Sequence, residues 1–167
     1  IVPGVAFTGR VDHIDKSLSY KSGLKIGDRV VSLVRVGANS RHLCIDSERL
    51  VKVPPDNRKE NSVACLPEVY LGAFQALHLG QRNAARYRKT SLANKSILIL
   101  AGASTIGIAL IEISRAAGAD TVYATGRDKE FERMGDVGGL PLSRDPRHWL
   151  SILMGKMDII ISVDGPY

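Results

Sequence analysis

The feature that most constrains the fold of this chain is a run of sixteen uncharged residues, 96–111. Residues 97–100 are a continuous Ile and Leu segment, which is typical of a strand covered on both faces. Small residues follow, and Ile106 and Leu110 then recur at the spacing of a helix that ends at Gly118. The run is shorter than the ~20 residues that a bilayer span needs. It therefore predicts a buried strand, a tight turn and a buried helix.

Two more apolar segments continue this pattern towards the end of the chain. Residues 121–125 and 157–163 are predicted strands, and the charged segment around 128–134 is a predicted helix between them. Strands that alternate with helices are typical of a parallel sheet with right-handed crossovers. The second part of the chain, residues 95–167, is therefore predicted to be an α/β domain.

The first part of the chain has the short strands and turns of a small β-barrel. Four segments are predicted strands: residues 5–11, 30–34, 42–45 and 50–53. A polar connection is expected over 58–66, and a helix is predicted to begin near Pro67, since proline is tolerated in a first turn. We therefore expect a barrel portion with a connecting helix and a basic segment over residues 1–94.

Composition narrows the class of protein. The chain has 167 residues, 44% of them apolar and 24% charged, which is close to the globular average and excludes a collagen-like or disordered chain. Its two cysteines are too few for a four-thiolate zinc site. Residues 1–11 carry no secretory signal, so we expect a soluble protein in a reducing intracellular compartment, either cytoplasm or an organelle matrix.

The net charge of +6 is concentrated in residues 1–94, which hold fifteen Lys and Arg against eight Asp and Glu. No aromatic interleaving or recognition motif accompanies this charge, so a solvated surface is favoured, and RNA binding through the basic half is the weaker alternative. The densest basic segment is a candidate docking surface for a protein partner. Its members are Arg82, Arg86, Arg88 and Lys89.

The turn after the predicted strand 97–100 has the spacing of a dinucleotide-binding loop, with serine in place of the middle glycine. The first glycine is expected to permit the tight turn, and the last to let the helix pack closely. Free N–H groups at the helix start could hold a pyrophosphate. The alternative is a turn that keeps this geometry without a ligand. The candidate cofactor-binding residues here are Gly102, Ala103, Ser104, Thr105, Ile106 and Gly107.

The end of the next strand is the segment that selects between cofactors. An acidic residue there suits NADH, whereas a cation suits the 2′-phosphate of NADPH. The chain has Thr125, Gly126, Arg127 and Lys129 at this place, so NADPH is favoured over NADH. The alternative is that Arg127 and Lys129 are surface residues paired with Asp128 and Glu132.

These motifs together resemble the medium-chain dehydrogenase/reductases, in particular the zinc-independent quinone oxidoreductase and enoyl reductase branch. The most specific match is Leu-Lys-Ile-Gly-Asp-Arg-Val at residues 24–30. Residues 3–11 are similar to an early barrel strand of that family, and residues 70–77 to its Tyr-Leu-Thr-Ala-Tyr-x-Ala-Leu helix. The glycine turn at 102–107 follows in the order of the family.

The resemblance implies an incomplete GroES-like barrel followed by the first part of a Rossmann sheet. It also implies an NADPH-dependent reductase that transfers hydride to a small-molecule substrate: a quinone, an enone or an enoyl thioester. Zinc is not expected, since zinc-dependent relatives have His-Glu where this chain has Val5 and Ala6. No catalytic residue is assigned, and a homo-oligomer is compatible with the resemblance.

Several departures from the family pattern favour an alternative function. Gly72 stands where the family has a threonine that helps to position the nicotinamide, and Ser104 narrows the phosphate turn. We expect the chain to be roughly half of a two-domain reductase. The alternative is a non-catalytic relative that serves as a structural or docking subunit in a larger assembly.

Overall fold

A computed structural model describes residues 2–55, 60–79 and 92–163. Contacts group the chain into two compact units, Ile1–Glu68 and Val69–Tyr167. The first unit contains a three-stranded antiparallel sheet and the second a four-stranded parallel sheet. The predicted α/β fold class is confirmed. The domain boundary predicted after residue 94 stays a prediction, because it falls beside a segment outside the described residues.

The first unit is built on a central strand, β2 (Arg29–Leu33), which pairs antiparallel with both of its neighbours. These neighbours are β1 (Ala6–Arg10) and β3 (Val51–Lys52). The turn before β2 depends on Gly27, whose φ is +87°, and on Asp28, whose carboxylate accepts a hydrogen bond from the Lys25 N–H at 2.9 Å. The predicted glycine-aspartate turn is therefore present.

Two sequence expectations in this unit were wrong and one helix was not predicted. Residues 42–45 form no strand, and the helix expected near Pro67 begins earlier, as α2 (Glu60–Leu79). Val63 on α2 packs with Val31 and Val53 in a small core, and this burial favours the early start that local chemistry did not indicate. The short helix α1 (Lys16–Ser22) was not predicted, because its sequence has no apolar residues at helical spacing.

The second unit is a parallel sheet in the order β6-β5-β4-β7. Its strands are β4 (Ser96–Leu100), β5 (Thr121–Gly126), β6 (Leu140–Ser143) and β7 (Ile159–Ser162). Its helices after α2 are α3 (Thr105–Ala116), α4 (Phe131–Asp136) and α5 (Leu150–Leu153). Because all four strands are parallel, their carboxyl ends lie at one edge, where ligands bind in open α/β sheets.

The central strand β4 is covered on both faces, as its continuous apolar sequence predicts. Ile97 and Ile99 are fully buried in a core that α2, α3 and β5 complete. Leu98 points to the opposite face and packs with Trp149 and Leu153. Burial on both faces holds β4 firmly between its neighbours, and the loop after β4 therefore starts from a fixed position.

Candidate functional site

The turn after β4 is bonded to the end of β5. The N–H of Ala101 donates to Thr125 Oγ1 at 3.0 Å, and the N–H of Gly102 donates to the Thr125 carbonyl at 2.8 Å. Ala101, with φ of +59°, takes the left-handed conformation of this turn. The expectation that Gly102 permits the tight turn is thus corrected, because the residue with the positive φ is Ala101 and not Gly102.

Gly102 and Gly107 are both required by space. A Cβ at Gly102 would lie 2.5 Å from the Cβ of Ala124 on β5. A Cβ at Gly107 would lie 2.6 Å from the carbonyl oxygens of both Ala101 and Gly102. The start of α3 therefore approaches its own loop more closely than any side chain would allow.

Ser104 caps α3 with its hydroxyl group. Its Oγ accepts a hydrogen bond from the Gly107 N–H at 3.0 Å and donates one to the Ala101 carbonyl at 2.8 Å. The hydroxyl is thus committed to the turn, and the sequence signal for this role is a serine just before an apolar helix. Among the described residues, the N–H groups of Ala103, Thr105 and Ile106 have no acceptor. Three donors at a helix N-terminus can hold an anionic group.

The end of β5 leads into a charged pair, and its last residue, Gly126, lies against a buried methionine. A Cβ at Gly126 would lie 2.6 Å from Cε of the fully buried Met134. Arg127 follows, and its Nε donates to Glu130 Oε1 at 2.9 Å. The Arg127 N–H donates to the other carboxylate oxygen, also at 2.9 Å. The alternative in which Arg127 pairs with Asp128 or Glu132 is corrected, because Glu130 is its partner.

Glu130 and Arg144 are charged groups of this edge that sequence reasoning missed. Hydrogen bonds from the Arg127 side chain, followed by the bond from the Arg127 N–H, hold the pKa of Glu130 at about 2. The positive charge of Arg144, which follows β6, acts in the same direction. An Arg-x-x-Glu spacing could have indicated Glu130. Nothing local indicates Arg144, because the parallel pairing of β5 with β6 brings their ends together.

The ten predicted cofactor residues lie at the carboxyl edge of β4 and β5. Residues 102–107 form the turn and the start of α3, Thr125 fastens that turn, and Gly126, Arg127 and Lys129 follow directly. Lys129 is exposed and, in the part of the chain that the structure describes, has no ion-pair partner. That these residues bind a cofactor stays a prediction.

The remaining site predictions fall elsewhere. Gly72 is exposed on α2, and a Cβ there would meet none of the described atoms within 4 Å. The predicted docking residues Arg82, Arg86, Arg88 and Lys89 lie outside the described residues, so that surface stays a prediction.

The described residues contain neither a metal-binding cluster nor a membrane-spanning helix. Within residues 2–55, 60–79 and 92–163, no three His, Cys, Asp or Glu side chains form a group that could hold a metal ion. The prediction that zinc is not used stays a prediction. None of the described helices has the length and hydropathy needed to span a bilayer.

Sequence comparisons identify long relatives of which this chain matches a part. No family model matches the chain. A highly reducing polyketide synthase, sdnO, of Sordaria araneosa is 29% identical over an alignment of 169 positions that covers 95% of this chain and 5% of the synthase. The mitochondrial reticulon-4-interacting protein 1 of Caenorhabditis elegans is 28% identical over an alignment of 148 positions that covers 85% of this chain and 37% of that protein.

Solved structures share the same fold over nearly the whole chain. A probable oxidoreductase from Mycobacterium abscessus has a TM-score of 0.70 at 25% identity, covering 91% of this chain and 45% of its own. The chain is similar in sequence and in fold to members of the medium-chain dehydrogenase/reductase superfamily. Within this superfamily it is similar to the quinone oxidoreductases and enoyl reductases. The superfamily predicted from the sequence motifs is thereby confirmed.

Two further members of the superfamily show the fold alone. The quinone oxidoreductase of Thermus thermophilus, described also in complex with NADPH, has a TM-score of 0.69 at 18% identity over 99% of this chain and 60% of its own. The CurK enoyl reductase has a TM-score of 0.74 at 20% identity over 96% of this chain and 46% of its own. The chain thus spans about half the length of these solved superfamily members.

Proposed function

We propose that this chain is part of an NADPH-dependent reductase of the zinc-independent medium-chain type. The substrate classes that fit are a quinone, an enone and an enoyl thioester. The single observation that carries the proposal is the turn between β4 and α3, where three N–H groups have no acceptor among the described residues and lie beside a cationic strand end. The similarity to quinone oxidoreductases and enoyl reductases supports the same reaction class.

The turn fits a pyrophosphate group for reasons of space and charge. Side chains are absent at Gly102 and Gly107, where a Cβ would overlap neighbouring atoms, and the loop therefore stays close to the sheet. The N–H groups of Ala103, Thr105 and Ile106 would bind the phosphate oxygens, aided by the partial positive charge of the α3 N-terminus. The Ser104 hydroxyl holds the turn in this shape, because both of its hydrogen bonds are made within it.

The end of β5 fits the 2′-phosphate that distinguishes NADPH. The Arg127 side chain is 56% exposed, so a ligand can reach it, and a guanidinium can bind a phosphate with two parallel hydrogen bonds. Lys129 adds a second exposed cation. Support also comes from the Thermus thermophilus enzyme, which has been crystallised with NADPH. When bound, this cofactor supplies a hydride, and the residues described here bind and orient it.

Titration of NADPH and NADH, followed by their fluorescence, tests the proposal. Arg127→Ala is expected to weaken NADPH binding by roughly tenfold, because one charge-assisted pair is worth about 1.4 kcal/mol, and to leave NADH within about twofold. Arg133→Ala is the matched control, since Arg133 is an exposed arginine on α4 that lies beyond this strand end. Absence of binding at millimolar NADPH would contradict the proposal and favour the non-catalytic alternative.

A further inference from the structure

The Glu130 carboxylate binds one edge of the Arg127 guanidinium. Oε1 accepts hydrogen bonds from the Arg127 Nε, at 2.9 Å, and from Nη2. Oε2 accepts one from the Arg127 N–H. Nε and Nη2 form one of the two guanidinium edges that a phosphate can use in a bidentate pair, and this edge is already bound to an internal anion.

The position of this carboxylate coincides with the end of β5. A Cβ at Gly126, the last residue of that strand, would lie 3.4 Å from Glu130 Oε2. In Rossmann domains the end of the corresponding strand is where the adenosine ribose and its 2′ substituent bind. Glu130 thus places a negative charge at the position where NADPH carries its extra phosphate.

The Glu130 carboxylate is also well sheltered. Its side chain is 18% exposed, whereas that of Arg127 is 56% exposed. Arg144 adds a second cation near it, and the pKa of about 2 keeps Glu130 ionised at every physiological pH. A phosphate that uses the same edge of the Arg127 guanidinium must therefore displace a fixed, ionised carboxylate.

We propose that Glu130 determines the preference between NADPH and NADH by competing with the 2′-phosphate for the guanidinium of Arg127. This inference rests on the proposed cofactor site. NADH carries no 2′-phosphate and does not need the guanidinium, so the carboxylate leaves its binding unchanged. Glu130 therefore reduces the selectivity for NADPH that Arg127 would otherwise provide.

The probes are adenosine 2′,5′-bisphosphate and 5′-AMP, which differ only in the 2′-phosphate and are titrated by calorimetry into the full chain. Glu130→Gln keeps an oxygen that can accept from the Arg127 N–H and removes the charge. We expect it to tighten binding of the bisphosphate roughly three- to fivefold, the upper part of the range of one exposed charge interaction, and to leave 5′-AMP within about twofold. Glu132→Gln, which removes an exposed charge from the first turn of α4, is expected to change neither.

A double variant shows whether Glu130 acts on bisphosphate binding through Arg127. When Glu130→Gln is added to Arg127→Ala, the affinity for the bisphosphate is expected to stay within about twofold of that of Arg127→Ala alone. An equal gain in that background would overturn the inference, since Glu130 would then act as a general charge. An unchanged or lower bisphosphate affinity in Glu130→Gln alone would also overturn it. Failure of every protein to bind either nucleotide would overturn the proposed function as well.

Discussion

Gly107→Ala tests the claim that the turn between β4 and α3 depends on close backbone packing. The new Cβ would lie 2.6 Å from two carbonyl oxygens, about 0.8 Å inside the ordinary contact distance of 3.4 Å. Both oxygens belong to the backbone of the turn, which hydrogen bonds to Thr125 hold in place. Overpacking of this kind costs about 1–3 kcal/mol, and the better helix propensity of alanine returns at most ~1 kcal/mol.

Gly72→Ala is the matched control for this substitution. Gly72 also lies inside a helix of the second unit, but a Cβ there meets no described atom within 4 Å. Because both variants gain the same propensity, the difference between their free energies of unfolding isolates the overlap at Gly107. We expect Gly107→Ala to be about 1–3 kcal/mol less stable than Gly72→Ala, or roughly 2–4 °C in melting temperature for each kcal/mol.

The assay uses the single tryptophan of the chain. Trp149 is buried against Leu98 of β4, so its fluorescence reports unfolding of the parallel sheet. Urea titrations of the two variants and the parent chain give the three free energies. Equal stability of the two variants, or greater stability of Gly107→Ala, would refute the packing argument.

Two other predictions concern buried polar groups. Thr125→Val removes the acceptor of the Ala101 N–H and should lower the free energy of unfolding by about 1–3 kcal/mol in the same urea assay. The control Thr121→Val, at the start of β5, should change the free energy of unfolding little. No loss in Thr125→Val would contradict the role of that hydroxyl. Burial lowers the pKa of His78, so the unfolded chain binds its proton more readily. The contribution of His78 to the free energy of unfolding should therefore be fully present above about pH 6.5 and should fall as the pH drops below that value. His78→Leu should flatten the dependence of the free energy of unfolding on pH between about pH 8 and pH 5. An equally steep pH dependence in His78→Leu would show that other groups cause it.

The strands, the turn and the helix of residues 96–116 were predictable because their signals are local. A continuous apolar strand, two glycines and a helical apolar period each act within a few residues. The same local chemistry predicted β5 and the Gly27-Asp28 turn. The superfamily resemblance came from motifs of this kind, and the comparisons confirm it.

Where the sequence expectation failed, contacts between distant residues made the difference. The helix α2 begins at Glu60 because Val63 is buried with Val31 and Val53, which lie on other elements. The strand expected at residues 42–45 has apolar residues but gains no partner strand among the described residues.

The sequence by itself determined the turn after β4 and the cation at the end of β5, since both follow from neighbouring residues. Only the tertiary structure decided which distant residues surround them. Met134 packs at Gly126, and Arg144 reaches the same edge through the pairing of β5 with β6. Electrostatic and packing energies depend on distances between side chains, and for these groups the fold alone sets the distances.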